Sequence, residues 1–279
     1  MLTCGLTGAT GVLGRAIKKE LGYKFISFKG RIENKKNVSK WIKENNFDLI
    51  IHLAAIVPTT TVNNNFYVAN KINYGGTKNI VDSILKYKPN LKWFFFPSSS
   101  HVYKISKKFK KINEKQKLVP STRYGDTKLR AENYIIKKLK KSKIKYCIGR
   151  IFSFSSINQK PPYLIPSIIM KIKIIRNQII FFKDLNHYRD FLPPEEICRA
   201  IDILRKYSAT GIYNICSGKA LLLKEIANHI AKKYNKECKF EDGKRTFLIG
   251  DGKKINKLGF IYNRNYYNYL DYIIQNNKS

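Results

Sequence analysis

Acidic residues are scarce in this chain: 19 Asp and Glu stand against 54 Lys and Arg over 279 residues, a formal net charge of +35. Such a surface attracts anions. The basic residues nevertheless run along the whole length, with no zinc-finger spacing and no RNP-type aromatic motif, so specific nucleic-acid recognition is not expected. Lysine travels here with abundant Asn, Ile and Tyr, a mixture that AT-rich coding favours. The five cysteines, Cys4, Cys147, Cys198, Cys216 and Cys238, form no CxxC pair and have no histidine at metal-ligand spacing. This argues against a metal site or a disulfide scaffold and for reduced thiols. No run approaches the ~20 apolar residues needed to span a bilayer. The first dozen residues read as strand and turn rather than as a signal peptide, so the cytoplasm is the expected location and no membrane partner is expected. At 43% hydrophobic residues, the chain can bury a core in one large domain, or in one domain with a smaller lobe.

Apolar runs at Leu2–Leu6, Phe25–Phe28, Leu49–Leu53, Trp93–Phe96 and Tyr146–Ile148 alternate with helical stretches near Val12–Leu21, Val38–Glu44, Phe66–Tyr87 and Thr127–Lys141. Short continuous apolar strands separated by helices predict an α/β fold, a parallel sheet covered on both faces. Right-handed crossovers then give a doubly wound sheet with its ligand crevice at the C-terminal ends of the strands. From about residue 153 the elements become shorter and less regular. Residues 1–152 are therefore read as a dinucleotide-binding domain and 153–279 mainly as a smaller C-terminal α/β substrate lobe, with segments returning to the first.

Thr7-Gly8-Ala9-Thr10-Gly11-Val12-Leu13-Gly14 follows the first strand and opens the first helix, the context that a dinucleotide loop requires. Gly8 suits the tight turn, Gly11 a close backbone approach to a pyrophosphate and Gly14 tight helix–strand packing, while the helix N-terminus offers free N–H groups to the anion. An NAD site usually has an acid after the second strand. This chain has Phe28-Lys29-Gly30-Arg31 there. Lys29 and Arg31 suit a 2′-phosphate, so NADP is the expected cofactor, with NAD the alternative.

After the fourth strand the chain reads Pro97-Ser98-Ser99-Ser100-His101, and Tyr124-Gly125-Asp126-Thr127-Lys128 follows 25 residues beyond Ser99. Four residues apart on a helix, Tyr124 and Lys128 share a face. An ammonium beside a phenol favours phenolate and makes tyrosine an acid–base group. In these segments the sequence resembles the extended short-chain dehydrogenase/reductase family, specifically its nucleotide-sugar epimerases, dehydratases and reductases. The resemblance extends to Asp48–Ala55 (DLIIHLAA), Asn73–Asn79 (NYGGTKN), Arg189-Asp190-Phe191 and Tyr213-Asn214-Ile215 to Gly218. It implies a Rossmann-type fold and a catalytic set in which Ser99 holds the substrate oxygen, Tyr124 exchanges its proton and Lys128 also holds the nicotinamide ribose. It further implies cofactor contacts from Leu53, Ala54, Ala55 and Asn73, a diphosphate contact from Arg189 with a second from Arg245, and a homodimer built through two helices per subunit.

Dehydratases of this group carry an Asp-Glu pair just after the residue matching Ser99, where this chain has Ser100 and His101. Dehydration is thereby disfavoured. His101 is a candidate acid–base group, and a two-base epimerisation would have to recruit Tyr163. Phe152-Ser153-Phe154-Ser155-Ser156 replaces the family's Asn-x-Tyr-Gly-Pro, so the substrate-facing loop is atypical. His52, on a buried strand, reads as a satisfied core residue. The expected activity is NADP-dependent reduction of a nucleotide-linked 4-keto sugar for surface-polysaccharide synthesis. The alternatives are an NAD-dependent 4-epimerase and, from another class, a non-catalytic dinucleotide sensor or basic binding protein.

Overall fold

The computed structural model describes residues 1–241 and 243–277. Its first half alternates β1 (Thr3–Thr7), α1 (Val12–Glu20), β2 (Lys24–Ser27), α2 (Lys35–Glu44) and β3 (Leu49–His52). Two short helices, α3 (Thr59–Asn64) and α4 (Phe66–Asn70), lead through a π-helical turn at Lys71–Gly75 into α5 (Gly76–Tyr87). Then come β4 (Trp93–Ser99), the short β5 (Lys111–Ile112), α6 (Arg123–Leu139) and β6 (Lys145–Ile151). Strands β1, β2, β3, β4 and β6 pair in parallel, and a sixth strand from the second half, Gly211–Ile215, joins the edge beside β6. The order across the sheet runs Gly211–Ile215, β6, β4, β3, β1, β2.

Side-chain alternation explains why this sheet is covered on both faces. Trp93 and Phe95 of β4 point into one core with Cys4, Leu6, Ile51 and Cys147. Phe94 and Phe96 point into the opposite core with Ile50 and Ile148. Each strand therefore reads as a continuous apolar run, because neither face meets water. Helix α6 begins at Arg123, four residues earlier than the pattern predicts. Thr122 caps it, its hydroxyl accepting from the Gly125 N–H at 3.0 Å.

The second half supplies β7 (Ser153–Phe154), α7 (Leu164–Ile174), β8 (Ile179–Lys183), β9 (His187–Arg189), β10 (Phe191–Leu192), α8 (Pro194–Lys206) and β11, the edge strand Gly211–Ile215. It continues with β12 (Leu221–Leu222), α9 (Leu223–Lys232), β13 (Glu237–Glu241), β14 (Thr246–Gly250), α10 (Lys253–Asn256) and α11 (Tyr266–Gln275). Helix α7, β8, α9 and α11 enclose a separate core around Ile168, Ile180, Ile226 and Ile273. Helix α8 instead places Ile197, Ile201 and Leu204 in the same core as Ile17 of α1, so this part of the chain packs on the main sheet. Among the described residues no helix is long and apolar enough to cross a membrane.

Candidate active site

A cleft of about 840 Å³ opens at the C-terminal ends of β1, β3 and β4, between the main sheet and the second lobe. Gly8, Thr10, Gly11, Val12, Leu13 and Gly14 line one end of it, with Leu53, Ala54 and Ala55 beside them. Gly8 has a φ of +70°, and a Cβ there would lie 2.7 Å from the Ala54 nitrogen. A Cβ on Gly14 would lie 2.2 Å from the Gly8 carbonyl oxygen. Gly14 thus lets α1 sit on the loop itself, rather than against the neighbouring strand as the sequence reading has it. The first turn of α1 carries no acid and its last turn carries Lys18 and Lys19, a charge order that leaves the N-terminal end attractive to an anion. The cradle fits a pyrophosphate, since side chains at Gly8 and Gly14 would fill the space that the loop backbone occupies.

Ser99 ends β4, and Tyr124 and Lys128 stand one turn apart on α6; all three line the same cleft and are nearly buried. The Tyr124 hydroxyl and Ser99 are hydrogen bonded, and the His101 ring lies edge-on to Tyr124 at 6.1 Å. Helix α6 comes this close to the Ser99–His101 segment because residue 125 is glycine. A Cβ there would sit 2.2 Å from the His101 carbonyl oxygen.

The electrostatics differ from the sequence expectation. Burial raises the Tyr124 phenol above its ordinary value, neighbouring Tyr163 raises it further, and the Ser99 bond opposes both only in part. Lys128 has no part in this shift, and burial lowers the lysine itself to about 7 against the pull of Glu132. Its ammonium lies 4.3 Å from the centre of the Phe96 ring. Burial, with the nearby Arg189 charge, lowers His101 to about 4. At neutral pH this imidazole is uncharged, with one ring nitrogen a donor and the other an acceptor, and is not available as an imidazolium acid.

Tyr163 and Arg189 line the other end of the cleft, together with Phe154 of the atypical loop and Gln159, which the sequence reading did not single out. The Arg189 guanidinium donates to the Tyr188 carbonyl at 2.9 Å and to Thr246 Oγ1 at 3.1 Å. It does not rest on its neighbour Asp190. That buried carboxylate accepts from the Ser217 N–H and hydroxyl and from the N–H groups of Gly218 and Gly250.

Four expected residues lie outside the cleft wall. Lys29 and Arg31 are exposed beyond β2, and Arg31 is held at 2.6 Å by Glu33, an acid that the sequence reading passed over. Arg245 is exposed before β14. Asn73, expected to touch the cofactor, is buried behind the wall. Its Oδ1 accepts from the Ile56 N–H at 2.7 Å, and its Nδ2 donates to the Ile56 carbonyl and to Thr127 Oγ1. Asn73 lies in the π-helical turn at Lys71–Gly75, and the bonds of its side-chain amide are all internal.

A second unforeseen group lies behind Ser99. Glu132, two turns beyond Tyr124 on α6, accepts from the hydroxyl of Ser98 and from the Arg150 guanidinium at 2.6 Å; Arg150 also donates to the Tyr103 hydroxyl at 2.9 Å. Both charges are almost wholly buried. The i+4 spacing of Glu132 from Lys128 is the only trace of this group in the sequence.

An anion-seeking helix terminus at one end of the cleft and a buried phenol beside a lysine at the other are features that a nicotinamide-dinucleotide site would use. Sequence comparison narrows this reading: the profile of the NAD dependent epimerase/dehydratase family matches residues 5–216, and the chain belongs to that family. A dTDP-D-glucose 4,6-dehydratase of Dictyostelium discoideum is 28% identical over 213 residues, covering 71% of this chain and 47% of that protein. A UDP-glucose 4-epimerase of Lactobacillus helveticus is 25% identical over 209 residues, covering 67% and 62%. The chain therefore spans between 47% and 62% of the length of these curated relatives. Among solved structures, RMD from Pseudomonas aeruginosa complexed with NADPH superposes with a TM-score of 0.88 at 18% identity over 99% of this chain and 98% of that one. The UDP-glucose 4-epimerase of Thermotoga maritima with UDP-glucose gives 0.85 at 18% identity over 99% and 98%. At these identities the likeness concerns the fold.

Proposed function

We propose that this chain is an NADP-dependent reductase of a nucleotide-linked 4-keto sugar, serving surface-polysaccharide synthesis. One observation carries the reading: among the described residues the cleft wall has no Asp or Glu, and it surrounds a phenol that keeps its proton. Dehydration in this family calls for carboxyl groups beside the substrate. Reduction needs a single proton, delivered to the oxygen as it becomes an alkoxide, and Tyr124 starts with that proton in place. A bound nicotinamide dinucleotide supplies the hydride. Ser99 fixes the substrate oxygen beside Tyr124, and Lys128, held against Phe96, lies one turn along the same helix face to hold the ribose and replace the proton on the phenol. Arg189 stands ready for a diphosphate, for which a guanidinium fork is well shaped. The wall from Phe154 to Tyr163 receives the sugar.

The Arg31–Glu33 pair favours a second reading. It engages one of the two cations meant for a 2′-phosphate and brings an acid to the end of β2, as an NAD-dependent 4-epimerase would have. Incubation of the purified protein with a panel of nucleotide-4-keto sugars and, in parallel, with the corresponding 4-hydroxy nucleotide sugars separates the two. A reductase consumes NADPH stoichiometrically and gives one product configuration. Interconversion of C4 epimers on retained NAD, with no net NADPH loss, would reject the reductase.

A further inference from the structure

Behind the cofactor end of the cleft, one buried histidine is bonded at both ring nitrogens, and its partners fix the direction of every proton. The Thr77 hydroxyl donates to the Asn73 carbonyl at 2.6 Å, so towards His52 Nε2, 3.1 Å away, its oxygen can only accept. His52 therefore carries its proton on Nε2. Its bare Nδ1 accepts from the Thr7 hydroxyl at 2.7 Å, and the Thr7 oxygen accepts in turn from the Ala54 N–H at 3.1 Å. Burial, aided by the Lys128 charge, lowers His52 to about 3, which keeps the ring neutral and this order intact. At the far end, Asn73 clasps both backbone groups of Ile56 and donates to Thr127 Oγ1, whose own proton goes to the Tyr124 carbonyl at 2.8 Å. The His52 ring also lies against Phe96, the ring that carries Lys128 on it.

We propose that His52 is a positioning residue: through Thr7, Thr77 and Asn73 it couples the cofactor-lining loop after β3 to the turn of α6 that bears Tyr124 and Lys128. Any buried histidine needs hydrogen-bond partners; what marks this one is that its partners, Thr7 and Thr77, bond onward to the Ala54 N–H and to Asn73, the residue that holds Ile56 and Thr127. Removing a single hydroxyl breaks the order without removing bulk. The inference rests on the reading above that the cleft takes a nicotinamide dinucleotide, and its test avoids the sugar altogether.

Equilibrium binding of NADPH and of NADH is measured by titration calorimetry, alongside the melting temperature, for Thr77→Val, Thr77→Ser, His52→Phe, Thr127→Val and the His52→Phe/Thr127→Val double variant. Thr77→Val, which keeps the shape and loses the hydroxyl, weakens the preferred dinucleotide about 5- to 10-fold, the size expected for one buried hydrogen bond. Thr77→Ser restores binding to within about 2-fold. In the double variant the loss is smaller than the product of the single losses by at least about 3-fold, because the second cut acts on a chain already broken. Wild-type affinity in Thr77→Val with only a lowered melting temperature, or an additive double variant, overturns the coupling and leaves the enzyme reading standing. A wild-type protein that binds neither dinucleotide overturns both. Should His52→Phe fail to fold, the Thr77 pair decides alone.

Discussion

The two ends of the dinucleotide path are built in opposite ways. Around Tyr124 the polar groups are enclosed and form an internal network: Ser99 to the phenol, Ser98 and Arg150 to Glu132, Asn73 to Thr127. Beyond β2, Lys29 and Arg31 stand in solvent, and the Arg31 guanidinium there meets Glu33 in an ion pair whose cation is exposed. Packing and low dielectric fix the geometry at the first end, where a misplaced group is costly. Exposed ion pairs contribute little and exchange partners readily, so the second end can change its ligand preference without disturbing the fold.

Four substitutions test this contrast, from the largest expected effect to the smallest. Tyr124→Phe, with the circular dichroism spectrum unchanged, reduces kcat by about 10²- to 10⁴-fold, the range for loss of a positioned proton donor; near-normal turnover would remove Tyr124 from the chemistry. Gly14→Ala forces a methyl group against the Gly8 carbonyl and costs about 1–3 kcal/mol in chemical denaturation; an unchanged midpoint would mean that the loop gives way easily.

Lys128→Met should do something less intuitive and raise stability. Burial lowers the folded-state value of Lys128 to about 7, below the ordinary lysine value of 10.5, so between these the unfolded chain binds more protons and stability rises with pH. The cost of Lys128 is therefore fully present below pH 7 and fades as pH climbs towards 10.5. The melting temperature of the variant exceeds that of the wild type by more at pH 7 than at pH 10, and an equal difference at both values would contradict the burial argument. The smallest effect belongs to Arg31→Ala. Its stability changes by about 0.5 kcal/mol or less, and under the reductase reading its ratio of kcat/KM for NADPH over NADH falls. No change in that ratio would assign the 2′-phosphate to other groups or favour NAD.

The contrast also explains what could be read from sequence. The strands of the main sheet show as unbroken apolar runs because both faces are buried, and the loop and the Ser–Tyr–Lys set are short-range patterns on those elements. Phe66–Tyr87 reads as one helix by periodicity; the π-helical turn at Lys71–Gly75 escapes notice because what holds it, the Asn73 amide on Ile56, lies 17 residues away in the chain. Strand β14 is equally hidden. Its partners, β5 and β9, come from distant segments, and a five-residue strand offers little pattern of its own. The misplacement of Arg245 and the overlooked Glu33 have one source: in a chain so rich in lysine and arginine, a cation's position says little about its partner.

Gly125 carries a consequence for how this site can evolve. With no side chain between them, the segment bearing Ser99 and His101 and the helix bearing Tyr124 and Lys128 form one rigid block. Substrate entering the cleft meets reacting groups already assembled when the chain folded. Under the proposed reading, any adjustment to the shape of a sugar then falls to the opposite wall, residues 153–163. That wall is an exchangeable part, so grafting it from a relative should transfer the choice of substrate while leaving the chemistry in place.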